Sequence, residues 1–529
     1  MKEIVTLQLG HSASFVGTHL WNALSNKDIS DPSQVDSNVL IRSGFDAERG
    51  VATYAPRLVI VDLKGSLGTL KKINQLYEDA EAQADAASWN GKVDVRRQDL
   101  LPKNDYLNYL ETEEEEDVPS SVSGSKKAAS GTPKPQKQFS RVLDSAVHVW
   151  SDFNSMFYHP RTVVELPYSH NDSVAPFAIF NQGSDLWTSD HGLQDDILEN
   201  RIRFFLEECD NPQGIQVLAD VSTAFSGFTA SCLESLREDV GKMCITVFGI
   251  SDDCDGVTEP VKNLNESLAM SQISEMASLY VPLRKPTAES GFRGSDFGGF
   301  GLKSSLQSRY HWTACLAASI DTITLPMRLA KSPVTMAGFI SPLTQTGPLA
   351  MLATSFPFPF GGAGIKELLS KELKMGDHVA WLHDDTFNLP YDLVERCSAQ
   401  VSVMRGVKDA ETSDVKSALN DYLGKSQTPI GCNNSYTCES GFPISLAFPD
   451  VFATSASADS LSLAVNAPVF SRLRASTRLS GLVGDRITAL SQVPGKVLRM
   501  CGENDLAREF IESSVDSLSA LRDLYDDDE

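Results

Sequence analysis

MKEIVTLQLGHSASFVGTHLW, residues 1–21, decides how the rest of the chain is read. Ile4 to Leu9 is apolar and β-branched, Gly10 breaks the run, and a helix-compatible stretch follows to about Leu24. Strand, tight turn and helix in that order open an α/β unit, and the pattern recurs downstream. Arg57-Leu58-Val59-Ile60-Val61-Asp62 is a continuous apolar run ending in a carboxylate, as a strand buried on both faces of a parallel sheet reads. Asp195 to Leu206 carries Ile197, Leu198, Ile202 and Phe205 at helical spacing, and Gly214 introduces the strand Ile215 to Leu218. A helix from about Ser231 to Val240 then leads into the strand Cys244 to Gly249. The repetition predicts a mostly parallel sheet with right-handed crossovers.

The chain has 529 residues, too many for one core, and suits two or three packed domains. An apolar fraction of 41% with 22% charged residues fits a folded, soluble protein. The formal charge of -24 argues against a phosphate-backbone binder, so nucleic acid is not an expected partner. Nine cysteines are scattered without CxxC or zinc-type spacing, and even Cys432 and Cys438 read as reduced thiols of an intracellular protein. The N-terminus opens directly into a strand and shows neither a signal nor a transit pattern. Ser332 to Ile365 lacks charge, but Pro333, Pro342, Pro348, Pro357 and Pro359 interrupt it, which favours buried strands and loops over a membrane-facing surface.

Residues 1–330 read as a first α/β domain. It is broken at about 111–138, where the acidic run Glu113 to Asp117 passes into a Ser, Gly, Lys and Pro stretch with few apolar groups. Such a segment cannot offset its ordering entropy and is read as a disordered insertion, with a charge-switch binding segment as the alternative. Residues 331–465 read as a mixed α/β intermediate domain. From 466 the expectation is C-terminal helices, Val469 to about Leu490 and Asn504 to Tyr525, and an acidic tail Asp526 to Glu529.

These strings, in this order, resemble the tubulin superfamily over nearly the full length. The opening keeps Glu3, Ile4, Val5, Gln8, Gly10, Gly17 and Trp21 of the tubulin strand, phosphate loop and first helix. TYAPRLVIVDLKGSLG, residues 53–68, is similar to the tubulin PRAxLVDLEPG segment, DILENRIRFFLEECDNPQGIQ, 196–216, to the helix and strand before the main phosphate loop, and VTEP, 257–260, to the ribose loop. DLKGSLGTL from Asp62, VWSDF from Val149, HPRT from His159, EECDNPQG from Glu207 and FSGF from Phe225 narrow the resemblance to the Misato family of divergent tubulin-like proteins. The resemblance implies a tubulin-like fold: a Rossmann-like parallel-sheet nucleotide-type domain, a mixed α/β second domain and outer C-terminal helices. It also implies a role in mitochondrial distribution, morphology and inheritance, in the cytoplasm or peripherally at the mitochondrial outer surface. Protein partners follow from the same kinship, with a cytosolic chaperonin or tubulin-related protein among them.

A phosphate loop needs small residues, because backbone N–H groups must approach anionic oxygens closely. Tubulins supply a GGGTGSG run; the matching stretch here is Thr223-Ala224-Phe225-Ser226-Gly227-Phe228-Thr229, where only Gly227 survives and two phenylalanines add bulk. In the first loop Gly10 is kept, while His11, Ser12, Ala13 and Ser14 stand where tubulins read QCGN; His11 and Ser12 retain donors for an anion. Glu259 matches the tubulin glutamate that contacts ribose, and Met276 stands where tubulins carry a base-reading asparagine. Asp62 reads either as a neighbour of a metal-phosphate group or as a turn cap. The region matching the tubulin GxxNxDxxE catalytic loop, Ser319 to Arg328, lacks the Asn and the acid pair, and Pro326 breaks an early turn. Gly10, His11, Ser12, Asp62, Ser226, Gly227 and Glu259 are therefore the candidate site, a degenerate one with no expected catalytic or metal-binding residue and no resident cofactor. The alternative is a chain that binds GTP or GDP as a weakly hydrolysing or polymerising GTPase.

Other motifs carry less. His378, Trp381, His383, Asp384 and Asp385 suggest a metal or acid–base pair, against which ordinary surface placement is weighed, since their spacing does not suit a helical ligand pair. His159 and His170 read as capping or loop residues. Arg472, Arg474, Arg478 and Arg486 fall on the expected late helix, as a solvated face or as a surface for an anionic partner such as lipid headgroups.

Overall fold

The computed structural model describes residues 2–25, 33–46, 51–68, 103–110, 142–170, 172, 174–253, 257–285, 301–302, 306, 308–355, 396–407, 430–453, 466–500 and 504–526. The expected insertion at 111–138, the His378 to Asp385 group and the last three acidic residues lie outside them.

The first sheet and its helices follow the chain in order. They are β1 (Glu3–Leu9), α1 (His11–Ser25), β2 (Leu58–Lys64), β3 (Val163–Ser169), α2 (Phe180–Ser189), β4 (Pro212–Asp220), α3 (Phe225–Val240), β5 (Cys244–Ser251), α4 (Glu259–Met276) and β6 (Leu279–Arg284). The six strands pair in the order β3-β2-β1-β4-β5-β6, and every pairing is parallel. The central strands are apolar on both faces because helices cover both: Ile4 joins one apolar cluster, while Val5, Leu7 and Leu9 join the other. Between α2 and β4 the helical stretch His191–Ile197 continues to Arg203–Glu207 through a π turn at Leu198–Ile202.

α5 (Arg309–Thr324) follows and packs on α1 on one side. On its other side stands a second sheet of β7 (Met351–Ser355), β8 (Cys397–Arg405), β9 (Ile430–Cys438) and β10 (Val469–Ser476), in the order β7-β10-β8-β9. The β8–β9 pair is parallel and β10 runs antiparallel to both of its neighbours, so this is a mixed sheet. The uncharged stretch after Ser332 supplies a short helix, Met336–Ile340, and β7. α6 (Arg478–Ser491) and α7 (Asn504–Asp523) then pack on α4 across the first sheet's second apolar cluster. Together these elements form a Rossmann-like tubulin fold.

Two sequence expectations are corrected. Val469 to Ser476 is a strand between two partners and not the start of the late helix, which begins at Arg478. The alternation of Val469, Ser471, Leu473 and Ala475 with Phe470, Arg472, Arg474 and Ser476 has period 2, and tertiary pairing decides it. Arg472 and Arg474 thus sit on a strand. Arg486 is 6% exposed, and its Nη1 lies 2.6 Å from Oε2 of Glu266, so it is no part of a solvated face. Among the described residues no helix is long and apolar enough to cross a membrane.

Candidate functional site

Ligands of open parallel sheets sit at the carboxyl ends of the strands, where helix N-termini converge. Here that edge carries Gly10 after β1, the Asp62 end of β2, Asp220 at the end of β4 and Asp252 after β5. Gly10 adopts a φ of 103°, which lets the chain turn from β1 directly into α1, and its N–H donates to the Val61 carbonyl at 2.9 Å.

Asp62, His11 and Ser12 make contacts within the protein. Asp62 is 1% exposed; its Oδ2 accepts the Trp150 indole N–H at 3.0 Å and lies 3.4 Å from His11 Nδ1, and its Oδ1 accepts the Leu63 amide at 2.8 Å. Burial pushes this carboxyl up, but the His11 charge and hydrogen bond and the Leu63 amide outweigh it and hold it below the ordinary range. His11 is buried, its Nε2 finds no partner among the described residues, and the His170 ring lies against its ring, tilted by 35° with centroids 3.9 Å apart. Burial first, then His11, lowers His170 to about 4. The Ser12 hydroxyl donates to Asp252 Oδ2 at 3.2 Å, and Arg309 Nε reaches the same oxygen at 2.7 Å. Asp220 accepts both the amide and the hydroxyl of Ser222; burial chiefly, and Asp252 in addition, raise its carboxyl.

The second loop is shorter than its sequence suggests, because α3 already begins at Phe225. The Ser226 hydroxyl closes on the Thr223 carbonyl at 2.7 Å. Gly227 serves helix packing: a Cβ there would sit 1.9 Å from the Phe180 carbonyl oxygen, and one on Gly183 would sit 1.8 Å from that of Ala224, so α2 and α3 touch backbone to backbone. Phe225 and Phe228 are both buried, against Phe177 and Trp187 respectively, at ring separations of 5.2 Å. The Phe225 ring also covers Gly10, whose Cβ, if it had one, would lie 3.0 Å from it and 2.7 Å from the Asp220 Cβ. Glu259 is exposed in the first turn of α4, and Met276 ends that helix half-buried against the apolar cluster.

The structure therefore gathers Gly10, His11, Ser12 and Asp62 at one edge, while Ser226 closes its own turn, Gly227 faces α2 and Glu259 is exposed at the start of α4. Sequence reasoning missed Trp150, Asp220, Ser222, Asp252 and Arg309. Asp220 and Asp252 do carry the signal that singled out Asp62, an apolar run ending in a carboxylate; Arg309 carries none. The Phe225 ring and the Asp220 Cβ lie against Gly10, the surviving glycine of the second loop faces a helix, and Asp62, Asp220 and Asp252 are buried carboxylates, a lining unlike a glycine-rich phosphate loop. Among the described residues no group of three or more His, Cys, Asp or Glu side chains is placed to hold a metal ion.

The sequence has counterparts among known proteins. Residues 2–112 match the Misato Segment II tubulin-like domain, and residues 140–329 match a tubulin domain. Protein misato homolog 1 of Homo sapiens is 32% identical over 435 residues, 77% of this chain and 74% of that protein. This chain belongs to the Misato family of tubulin-like proteins. The mouse Protein misato homolog 1 is 29% identical over 563 residues, 99% of this chain and 98% of its own length. Protein dml-1 of Neurospora crassa is 34% identical over 374 residues, 67% of this chain and 63% of that protein. This Misato-family chain thus carries a tubulin-like, six-stranded parallel sheet.

Proposed function

We propose that this Misato-family chain is a noncatalytic, tubulin-like organising or scaffold protein for mitochondrial distribution, morphology and mitochondrial DNA inheritance. It acts through protein interfaces in the cytoplasm and peripherally at the mitochondrial outer surface, and its folding partners include a cytosolic chaperonin, as tubulin kinship suggests. The observation that supports this reading is the Phe225 ring packed over Gly10. A scaffold needs a rigid surface and no turnover, and a sheet edge closed by its own side chains suits that purpose. The mitochondrial assignment draws on family kinship.

Complementation tests it. Cells depleted of the protein should show clumped mitochondria and progeny lacking mitochondrial DNA, and Glu259→Ala should restore both as fully as the unmodified chain. Glu259 is exposed, so this substitution leaves the fold alone. Normal mitochondria after depletion, or failure of a stably expressed Glu259→Ala chain, overturns the reading.

A further inference from the structure

Arg309 opens α5, and its guanidinium meets groups from several elements. Its Nε lies 2.7 Å from Oδ2 of Asp252, the oxygen that also accepts the Ser12 hydroxyl of α1. It stands 5.8 Å from the centre of the Phe15 ring, also on α1. Its charge is felt by Asp220 at the end of β4 and by His170 after β3. Asp220 and Asp252 are 1% and 3% exposed, and a buried carboxylate is costly unless it is paired. At the far end of the same helix, Asp321 is held by Arg328 at 2.6 Å and by Arg405 of β8 in the second sheet.

We propose that Arg309 is a resident cation that stands in for a charged ligand at this sheet edge. With the Asp321 cluster it pins α5 at both ends, so that the two sheets hold one arrangement without a bound nucleotide. A guanidinium is protonated at every accessible pH and offers several donors in a plane, so it neutralises the carboxylates permanently. A metal cation would do so only while bound. The assignment rests on the noncatalytic reading.

The test is chemical rescue in the full chain. The Arg309 side chain is 25% exposed, so Arg309→Ala leaves a vacancy open to small cations. Thermal melting is compared for the wild type, Arg309→Ala and Arg309→Ala/Asp252→Asn, with guanidinium chloride at about 20 mM against sodium chloride at equal ionic strength. The expected result is a melting point several degrees lower for Arg309→Ala. Guanidinium should restore at least half of the loss, and the double variant should exceed the single variant and ignore guanidinium. Guanidinium acting no better than sodium, or a double variant no more stable than the single one, overturns the proposal. If Arg309→Ala does not fold, Arg309→Lys must keep more stability than Arg309→Gln; equal losses overturn it. Nucleotide content of the same wild-type preparation separates the two ideas. Failed rescue of a nucleotide-free protein removes only the resident cation, whereas bound guanine nucleotide removes the noncatalytic reading and the cation's role with it.

Discussion

Phe225 lies against Gly10 with its ring 3.0 Å from where a glycine Cβ would project, so one side chain closes the turn between β1 and α1. Phe225→Ala should destabilise the protein by about 3 to 5 kcal/mol, the usual result of emptying a buried aromatic site. It should not create a nucleotide site, because Asp220 and Asp252 remain beneath the cavity. Urea denaturation and GTP titration of the variant check both halves; tight GTP binding by the variant would show that the ring alone had been the barrier.

Gly227→Ala places a methyl group against the Phe180 carbonyl and forces α2 and α3 apart. A loss of about 3 kcal/mol is expected, with urea midpoints as the measure. Near-neutral behaviour would mean that the two helices are not in backbone contact.

Glu266 of α4 is the acceptor that satisfies Arg486 of α6, and Arg284 lies 3.4 Å from the same oxygen. Glu266→Gln leaves Arg486 buried without its counter-charge, and about 3 kcal/mol should be lost, together with protection of the α6 amides from hydrogen exchange. Unchanged exchange in α6 would show that the Glu266–Arg486 pair does not hold that helix.

Acid should weaken the fold before carboxylates titrate. Burial lowers His19 from 6.5 to about 3 and His159 and His170 from 6.5 to about 4. Between about pH 6.5 and 4 the unfolded chain therefore binds more protons than the folded one, so stability rises with pH across that window and falls on acidification. His19 alone contributes on the order of 3 kcal/mol of that loss by about pH 4. Asp62 and Asp321, both lowered, extend the loss below their ordinary range, while the raised Asp220 opposes it. Urea melts at pH 7, 5.5 and 4.5 measure the slope; a flat profile would contradict neutral burial of these rings.

Much of the fold was legible because its strands are long apolar runs, and β1, β2, β4 and β5 fall where Ile4, Val59, Val217 and Val247 place them. β10 was missed because Arg472 and Arg474, at period 2, were read as one face of a helix, and only pairing with β7 and β8 settles a short amphipathic stretch. At the site, Phe225 and Phe228 announced their bulk in the sequence. Arg309 did not: nothing local marks an arginine at a helix start as the partner of Asp252, 57 residues earlier. Gly227 shows the opposite failure, since a glycine kept in a phosphate-loop position turned out to face another helix.

The most direct test of the central claim is to denature the purified full-length chain and chromatograph what it releases. A nucleotide-free extract is the predicted result of the noncatalytic reading, which draws on the Phe225 ring packed against Gly10 and the buried carboxylates of this edge. About one GTP or GDP per chain would contradict it.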